Sequence, residues 1–337
     1  MKTIVCEQPN EFKPVIAEHP TQKQGEAIVA IKQIGICGTD YHAYKGNQPF
    51  FVYPRVLGHE LAGVIEWVGE NDAGLKEGDQ VTVIPYLACG ECVACRRGKT
   101  NCCAQMKVLG VHIDGGMTEK ISVPHENLIK TDGLSLDEST VVEPLSIGAH
   151  AVRRAGIQKG EYALVIGAGP IGLGVMAFAQ QEGAKVIAMD INQERLGFCQ
   201  RWANVDFIVN ALESPIDSIQ EITGGDLPTI VFDATGNRKS MEGAFQYPAN
   251  GGKLIYVGLV RSNIMFFDPD FHAKELTLMG SRNATKEDFV HVINSIKRGK
   301  VDVGSYITHR SSFEEMIEHF DEWMKPETGV VKAIVQM

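Results

Sequence analysis

Between Gly35 and Glu60 the chain reads GICGTDYHAYKGNQPFFVYPRVLGHE, which gathers a thiol, imidazoles, carboxylates and a hydroxyl into one segment punctuated by Gly and Pro. Cys37 and His59 offer one sulfur and one nitrogen ligand, a mixture that suits a borderline-soft ion such as zinc, and Asp40 and Glu60 add negative charge beside them. Gly38 and Gly58 adjoin the two ligand candidates, where a backbone without Cβ lets the chain turn closely around an ion. Taken alone, such a pair is more often a buried thiol and an unrelated histidine. Two further groups of residues tip the reading toward a catalytic metal site.

The first is CGECVACRRGKTNCC, where Cys89, Cys92, Cys95 and Cys103 stand at C-x₂-C-x₂-C-x₇-C. Cysteines this close cannot all reach a distant partner, but a short loop can fold four sulfurs into a tetrahedron around zinc and leave no open coordination position, which makes a structural site. Iron–sulfur ligation and plain reduced thiols are the rivals, and the Gly-, Arg- and Lys-rich loop favours zinc. Cys102, next to Cys103, could exchange roles with it; Cys6 and Cys199 read as lone thiols. A buried charge candidate follows at Glu143, in an otherwise apolar run just before Pro144, where a carboxylate is costly unless paired, protonated or metal-bound. An exposed helix-capping glutamate is an equal alternative.

The second group is EYALVIGAGPIGLGVMAFAQQEGAKVIAMD, an apolar strand, a glycine turn with Pro170 and Ile171 in it, an apolar helix and a second strand ending in an acid. Gly167, Gly169 and Gly172 form G-x-G-x-x-G: the first permits a tight turn, the second lets the backbone approach a pyrophosphate, and the third lets helix and strand pack closely. Asp190 falls near the distance at which an acid accepts both ribose hydroxyls and repels a 2′-phosphate, so NAD is expected over NADP; Arg195 nearby tempers that preference. Strand signals in DFIVN, TIVFDATG and KLIYVGL continue the alternation of a parallel doubly wound sheet, which puts Ala234, Val257 and Gly258 at the strand ends where ligands of such sheets bind.

The elements that must position these groups divide the 337 residues into a mainly-β first part and an α/β second part. IVC near the start, the alternating segment EAIVAIKQI, LAGVIEWVG and DQVTVIPY read as strands around the metal segment. The α/β rhythm is expected to stop near Leu276, giving way to a polar turn and an amphipathic helix, then a helix at SFEEMIEHFDEWM and a terminal strand VVKAIVQM. A formal net charge of -10 argues against nucleic acid or an anionic membrane surface as a partner. The uncharged run from Tyr162 to Ala179 carries Gly and Pro and divides into strand, turn and helix, so no membrane role is expected. MKTIVCEQPN lacks the apolar core of a signal peptide, and eight cysteines without one suit thiols and metal ligands, so a cytoplasmic protein is expected.

A mixed-ligand metal site, a four-cysteine loop and a nucleotide fold in this order resemble the zinc-containing medium-chain alcohol and polyol dehydrogenases, on GICGTDYH, GHE, the four cysteines, VEP at Val142 to Pro144, and GAGPIG. The resemblance covers essentially the whole chain. It implies a GroES-like, mainly-β catalytic domain interrupted by a Rossmann domain: 1–147 and 281–337 catalytic, 148–280 dinucleotide-binding. It implies catalytic and structural Zn²⁺, NAD, and a homodimer or homotetramer. By position, Cys37 and His59 match the first two catalytic zinc ligands, Glu143 or Glu60 the third in place of the Cys of ethanol-type enzymes, and Thr39 and His42 the residues that relay the alcohol proton.

GNQPFFVYPRVLGHE, GVHIDGG and GSRNAT further resemble bacterial L-gulonate and L-galactonate 5-dehydrogenases, which implies oxidation of a sugar acid to D-fructuronate or D-tagaturonate. Arg282 and Asn283, with Arg55 or His272, are then the candidates to hold a substrate carboxylate, though each could equally serve an ion pair. A sorbitol- or threonine-type dehydrogenase is the alternative within enzymes. A non-catalytic NAD-binding sensor is the alternative outside them.

Overall fold

The computed structural model describes residues 1–48 and 51–337. Pro49 and Phe50, inside the GNQPFFVYP run, lie outside the described residues. The chain forms two compact units, one of Met1–Glu143 with Thr285–Met337 and one of Pro144–Ala284. The junctions fall at 143/144 and 284/285, where the sequence suggested 147/148 and 280/281.

The first unit is built on a seven-stranded sheet whose central strand, Glu26–Ile36, pairs antiparallel with Glu60–Val68 and with Lys332–Gln336. The C-terminal strand is therefore locked into this unit by main-chain hydrogen bonds, and Ile307–Ser312, a strand absent from the sequence reading, runs parallel beside it. The expected alternation of EAIVAIKQI does not hold. Ala27 to Ile31 are all buried, because this strand sits mid-sheet with both faces covered, and such strands read as continuous apolar runs. Its core joins Val29, Ile31 and Ile34 to Leu57, Leu61, Met117, Phe320 and Val335.

The second unit is a six-stranded parallel sheet in the spatial order Phe207–Asn210, Lys185–Asp190, Tyr162–Ile166, Ile230–Asp233, Lys253–Tyr256, Thr277–Gly280. This is the doubly wound order, with its switch point between Tyr162–Ile166 and Ile230–Asp233. The rhythm does not stop near Leu276. Thr277–Gly280 forms the sixth strand, and the Ser281 N–H donates to the Tyr256 carbonyl at 2.8 Å, which carries the unit past residue 280. No described helix is long and apolar enough to cross a membrane.

Candidate active site

Three backbone features assemble the metal-binding candidates. The central strand ends at Ile36, so Cys37 emerges at its tip and caps the start of the helix Gly38–Tyr44. Asp40, on the first turn, accepts the Cys37 N–H at 2.9 Å and the Gly58 N–H at 3.2 Å, tying the helix to the turn that delivers His59. The next strand begins at Glu60, whose Cα pairs with Gly35 across the sheet. As a result one ligand atom each from Cys37, His59 and Glu60 lie within 4.8 Å of one another.

His59 and Glu60 are 5% and 0% exposed. Burial disfavours a charged His59, but Asp40, Cys37 and Glu143 outweigh it and raise its pKa well above the ordinary value. Its Nδ1 stands 3.7 Å from Asp40 Oδ1 and has no hydrogen-bond partner. A sulfur, a nitrogen and an oxygen converge here, with an imidazole already facing a carboxylate, and this donor set fits zinc.

The sequence left open which glutamate joins Cys37 and His59; in the structure Glu60 is the one whose carboxylate lies within 4.8 Å of both. Glu143 is the second residue of the helix Val142–Ala155, buried rather than exposed, and its Oε1 accepts the hydroxyl of Tyr86. Burial pushes the Glu143 carboxyl up to about 7; His59 pulls it down and Glu60 pushes it further up, so these groups share one electrostatic environment.

Two participants escaped the sequence reading. Tyr86 is one, and nothing in VTVIPY marks it. The other is Lys332, 1% exposed, whose Nζ donates to Glu60 Oε1 at 2.6 Å, Glu60 Oε2 at 2.7 Å and the Ile36 carbonyl at 3.1 Å. Its only sequence signal was a single charge inside the apolar terminal strand.

Thr39 is half-buried and His42 exposed, three residues apart on one helix and so on the same face.

The four-cysteine loop forms a second cluster of Cys89, Cys92, Cys95 and Cys103. The Cys92–Cys95 sulfurs are 3.5 Å apart and those of Cys89–Cys103 3.4 Å, too far for disulfides and close to the roughly 3.8 Å that 2.3 Å bonds to a tetrahedral zinc would set. Backbone N–H groups of Cys89 and Gln105 point at Cys103 Sγ, and that of Ala104 at Cys92 Sγ. The Ala104 and Cys95 N–H groups lower the Cys92 thiol to about 6, so it is prepared to bind as thiolate. Cys102 is exposed and stands outside the cluster.

In the second unit the three glycines of the turn differ in what surrounds them. Gly167 has φ +101°, a Cβ on Gly172 would lie 1.8 Å from the Gly167 carbonyl oxygen, and Gly169 faces open space at the start of the helix Pro170–Gln181. That leaves the helix N-terminus accessible to a pyrophosphate. Asp190 closes the turn: Oδ2 accepts the Ala168 N–H at 2.7 Å and Oδ1 the Asn192 N–H at 2.9 Å, which still leaves lone pairs on both oxygens for ribose hydroxyls. Arg195 is exposed on the first turn of the helix Gln193–Ala203. Ala234 follows the strand at the switch point, its N–H donating to the Ile166 carbonyl, while Val257 and Gly258 both donate to the Asp233 carbonyl.

Of the substrate candidates, Arg55 already pairs with Asp114 at 3.0 Å. His272 is exposed on the helix Asp268–Ala273. Arg282 is exposed and Asn283 half-buried with φ +51°, just beyond the last strand of the sheet.

The profile described as Alcohol dehydrogenase GroES-like domain matches residues 23–133, and that described as Zinc-binding dehydrogenase matches residues 170–298. The L-galactonate-5-dehydrogenase of Escherichia coli (strain K12) is 43% identical over 99% of this chain and 98% of its own. The L-idonate 5-dehydrogenase of Vitis vinifera is 34% identical over 85% and 81%. Among solved structures, an alcohol dehydrogenase of E. coli CFT073 complexed with NADH superposes with a TM-score of 0.92 at 31% identity, covering 100% of this chain and 99% of that one. The chain belongs to the zinc-binding dehydrogenases with a GroES-like domain. It is a dehydrogenase whose parallel sheet is the Rossmann unit of that family.

Proposed function

We propose that this enzyme oxidises a secondary alcohol of a sugar acid with NAD, as an L-galactonate or L-gulonate 5-dehydrogenase giving D-tagaturonate or D-fructuronate. The observation that carries the chemistry is the convergence of Cys37, His59 and Glu60 within 4.8 Å. Likeness to the L-galactonate-5-dehydrogenase of E. coli over nearly the whole chain supports the substrate class.

Cys37, His59 and Glu60 would hold a catalytic zinc, and Cys89, Cys92, Cys95 and Cys103 a structural one. When bound, the catalytic zinc supplies a Lewis acid that favours the ionised alcohol, and the nicotinamide supplies the hydride acceptor. Thr39 receives the hydroxyl proton of the substrate, and His42, exposed one turn on, returns it to water. Glu143, with Tyr86 fixing one oxygen, is a second carboxylate that can hold a proton near neutral pH beside His59. The glycine turn 167–172 cradles the pyrophosphate, Asp190 accepts the ribose hydroxyls, and Ala234, Val257 and Gly258 line the nicotinamide.

We read the enzyme as cytoplasmic, in keeping with eight free cysteines, and as a homodimer or homotetramer. The outer strand Thr277–Gly280 has only one pairing neighbour among the described residues and leaves Leu278 41% exposed, which suits contact with a second copy.

A protein with net charge -10 needs a local cation for an anionic hexonate, and Arg282 with Asn283 is the pair we assign to it. The test is NADH formation from L-galactonate, L-gulonate, a neutral hexitol and L-threonine, with wild type and Arg282→Ala. A charge-assisted contact is worth about 1.5–3 kcal/mol, so the variant should lose roughly tenfold to a hundredfold in kcat/KM on hexonates and little on the hexitol. Better turnover of hexitol or threonine by wild type would replace the sugar-acid reading with a polyol- or threonine-type one.

A further inference from the structure

Asp233 ends the strand Ile230–Asp233 at the switch point of the parallel sheet and is 0% exposed. A carboxylate in such a place is costly unless its oxygens are met. Oδ1 accepts the Thr235 N–H at 2.9 Å and the Thr235 hydroxyl at 2.7 Å, and Oδ2 accepts the Ser240 hydroxyl at 2.6 Å. Burial pushes the carboxyl up while Ser240 and Thr235 pull it down, so the carboxylate and its donors depend on one another. The bonds close into a ring: Thr235 Oγ1 accepts the Asn237 N–H at 3.1 Å, and Asn237 Oδ1 accepts the Ser240 N–H at 3.2 Å. The segment 234–240 is therefore fastened at both ends to one side chain. The main chain of the same residue fastens a second loop, since the Asp233 carbonyl accepts the N–H groups of Val257 and Gly258 at 2.9 and 3.0 Å. The two loops lie backbone against backbone, because a Cβ on Gly258 would stand 2.3 Å from the Gly236 nitrogen.

We propose that Asp233 is a positioning residue for the nicotinamide half of the cofactor: its carboxylate holds the loop 234–237 against Val257 and Gly258, so that the seat of the ring is formed before the cofactor arrives. This rests on the reading that Ala234, Val257 and Gly258 line the nicotinamide. The other half of the cofactor site has ties of its own. The Gly167 N–H donates to the Met189 carbonyl at 2.8 Å, and Asp190 accepts the Ala168 and Asn192 N–H groups. A loop that must be ordered on binding takes its ordering cost from affinity, and only a ligand that carries the nicotinamide meets this loop. A carboxylate that merely stabilised the sheet would act on both halves of the site alike.

The experiment measures by calorimetry the Kd of the full chain for NADH and for ADP-ribose, which has every part of the cofactor except the nicotinamide. Asp233→Ala should weaken NADH roughly tenfold and leave ADP-ribose within about twofold of wild type. Asp233→Asn, whose amide oxygen can accept from Thr235 and whose NH₂ can donate to Ser240 Oγ, should keep NADH within about threefold of wild type. Unchanged NADH affinity in Asp233→Ala overturns the inference, as does an equal loss of both ligands, or a loss in Asp233→Asn as large as in Asp233→Ala. Should Asp233→Ala fail to fold, Ser240→Ala, which frees one end of the segment, should weaken NADH about threefold and spare ADP-ribose; unchanged NADH affinity in that variant overturns the inference equally. The underlying reading fails on wild type alone, if NADH binds no tighter than ADP-ribose.

Discussion

Gly35 shows how far the candidate metal centre depends on an atom that is absent. Its φ is not among the positive ones, so alanine suits the backbone there and a substitution tests space alone. A Cβ would stand 2.1 Å from Glu60 Oε2 and 2.9 Å from Glu60 Cβ, and neither strand can move aside because both lie in the middle of the sheet. Gly35→Ala should therefore displace the carboxylate, lower zinc from two to about one per chain and reduce turnover by roughly a hundredfold or more, by elemental analysis and NADH formation. Two zincs and near-normal activity would remove Glu60 from the ligand set. Glu143 gives a pH signature instead. Its folded pKa, about 7, lies above the ordinary value of 4.5, so its protonated form contributes stability that is fully present below about 4.5 and lost as pH rises through about 7. In chelated protein Glu143→Gln should remove that loss, so the variant gains on wild type between pH 5 and pH 8 by an amount on the order of 1–3 kcal/mol, read from denaturant unfolding. A difference that is flat across this range would mean that Glu143 titrates normally.

The loop Cys89 to Cys103 has little else to order it. Its helices, Val93–Arg96 and Thr100–Cys102, are each about one turn long, and of the four cysteines only Cys95 and Cys103 are buried. Helices this short do not persist on their own. Cys92→Ser should cost one zinc and expose the loop to protease, with cleavage at Arg96, Arg97 or Lys99 roughly tenfold faster than in wild type. Unchanged cleavage would mean that the loop is held by packing. The same loop was the most legible element in the sequence, because four cysteines within fifteen positions must lie close together whatever the fold, and in the structure they cluster. The glycine turn was legible for a similar reason, Gly167 and Gly172 answering local steric demands and Gly169 leaving the start of the helix open. What the sequence hid came from long-range pairing. Lys332 meets Glu60 across 272 residues, and Tyr86 meets Glu143 across 57, in strands and helices whose neighbours no local pattern specifies. The strand Thr277–Gly280 was missed because four residues, three of them exposed, carry neither period.

At the scale of the molecule, each of the two units has its own buried cluster. One is built on Ile31, Ile34, Leu61 and Val335, the other on Leu164, Ile187, Val231 and Leu254. Every residue of both metal-binding clusters belongs to the first unit, whereas the glycine turn, Asp190, Ala234, Val257 and Gly258 all belong to the second. The proposed metal and cofactor sites thus rest on separate cores. Removing zinc takes ligands from the first unit and touches none of the side chains or N–H groups that meet the pyrophosphate and ribose in the proposed cofactor site. Chelated protein should therefore stop turning over the alcohol, yet bind NADH within about threefold of the holoenzyme affinity, less than 1 kcal/mol of binding free energy. NADH in excess should still raise its stability, by about 2.7 kcal/mol at one hundred times the Kd. Fluorescence titration of NADH into chelated and zinc-replete protein checks both, with Asp190→Ala as the control that weakens binding in each. Loss of NADH binding on chelation alone, with Asp190→Ala no weaker than wild type, would mean that the second unit does not bind the cofactor by itself.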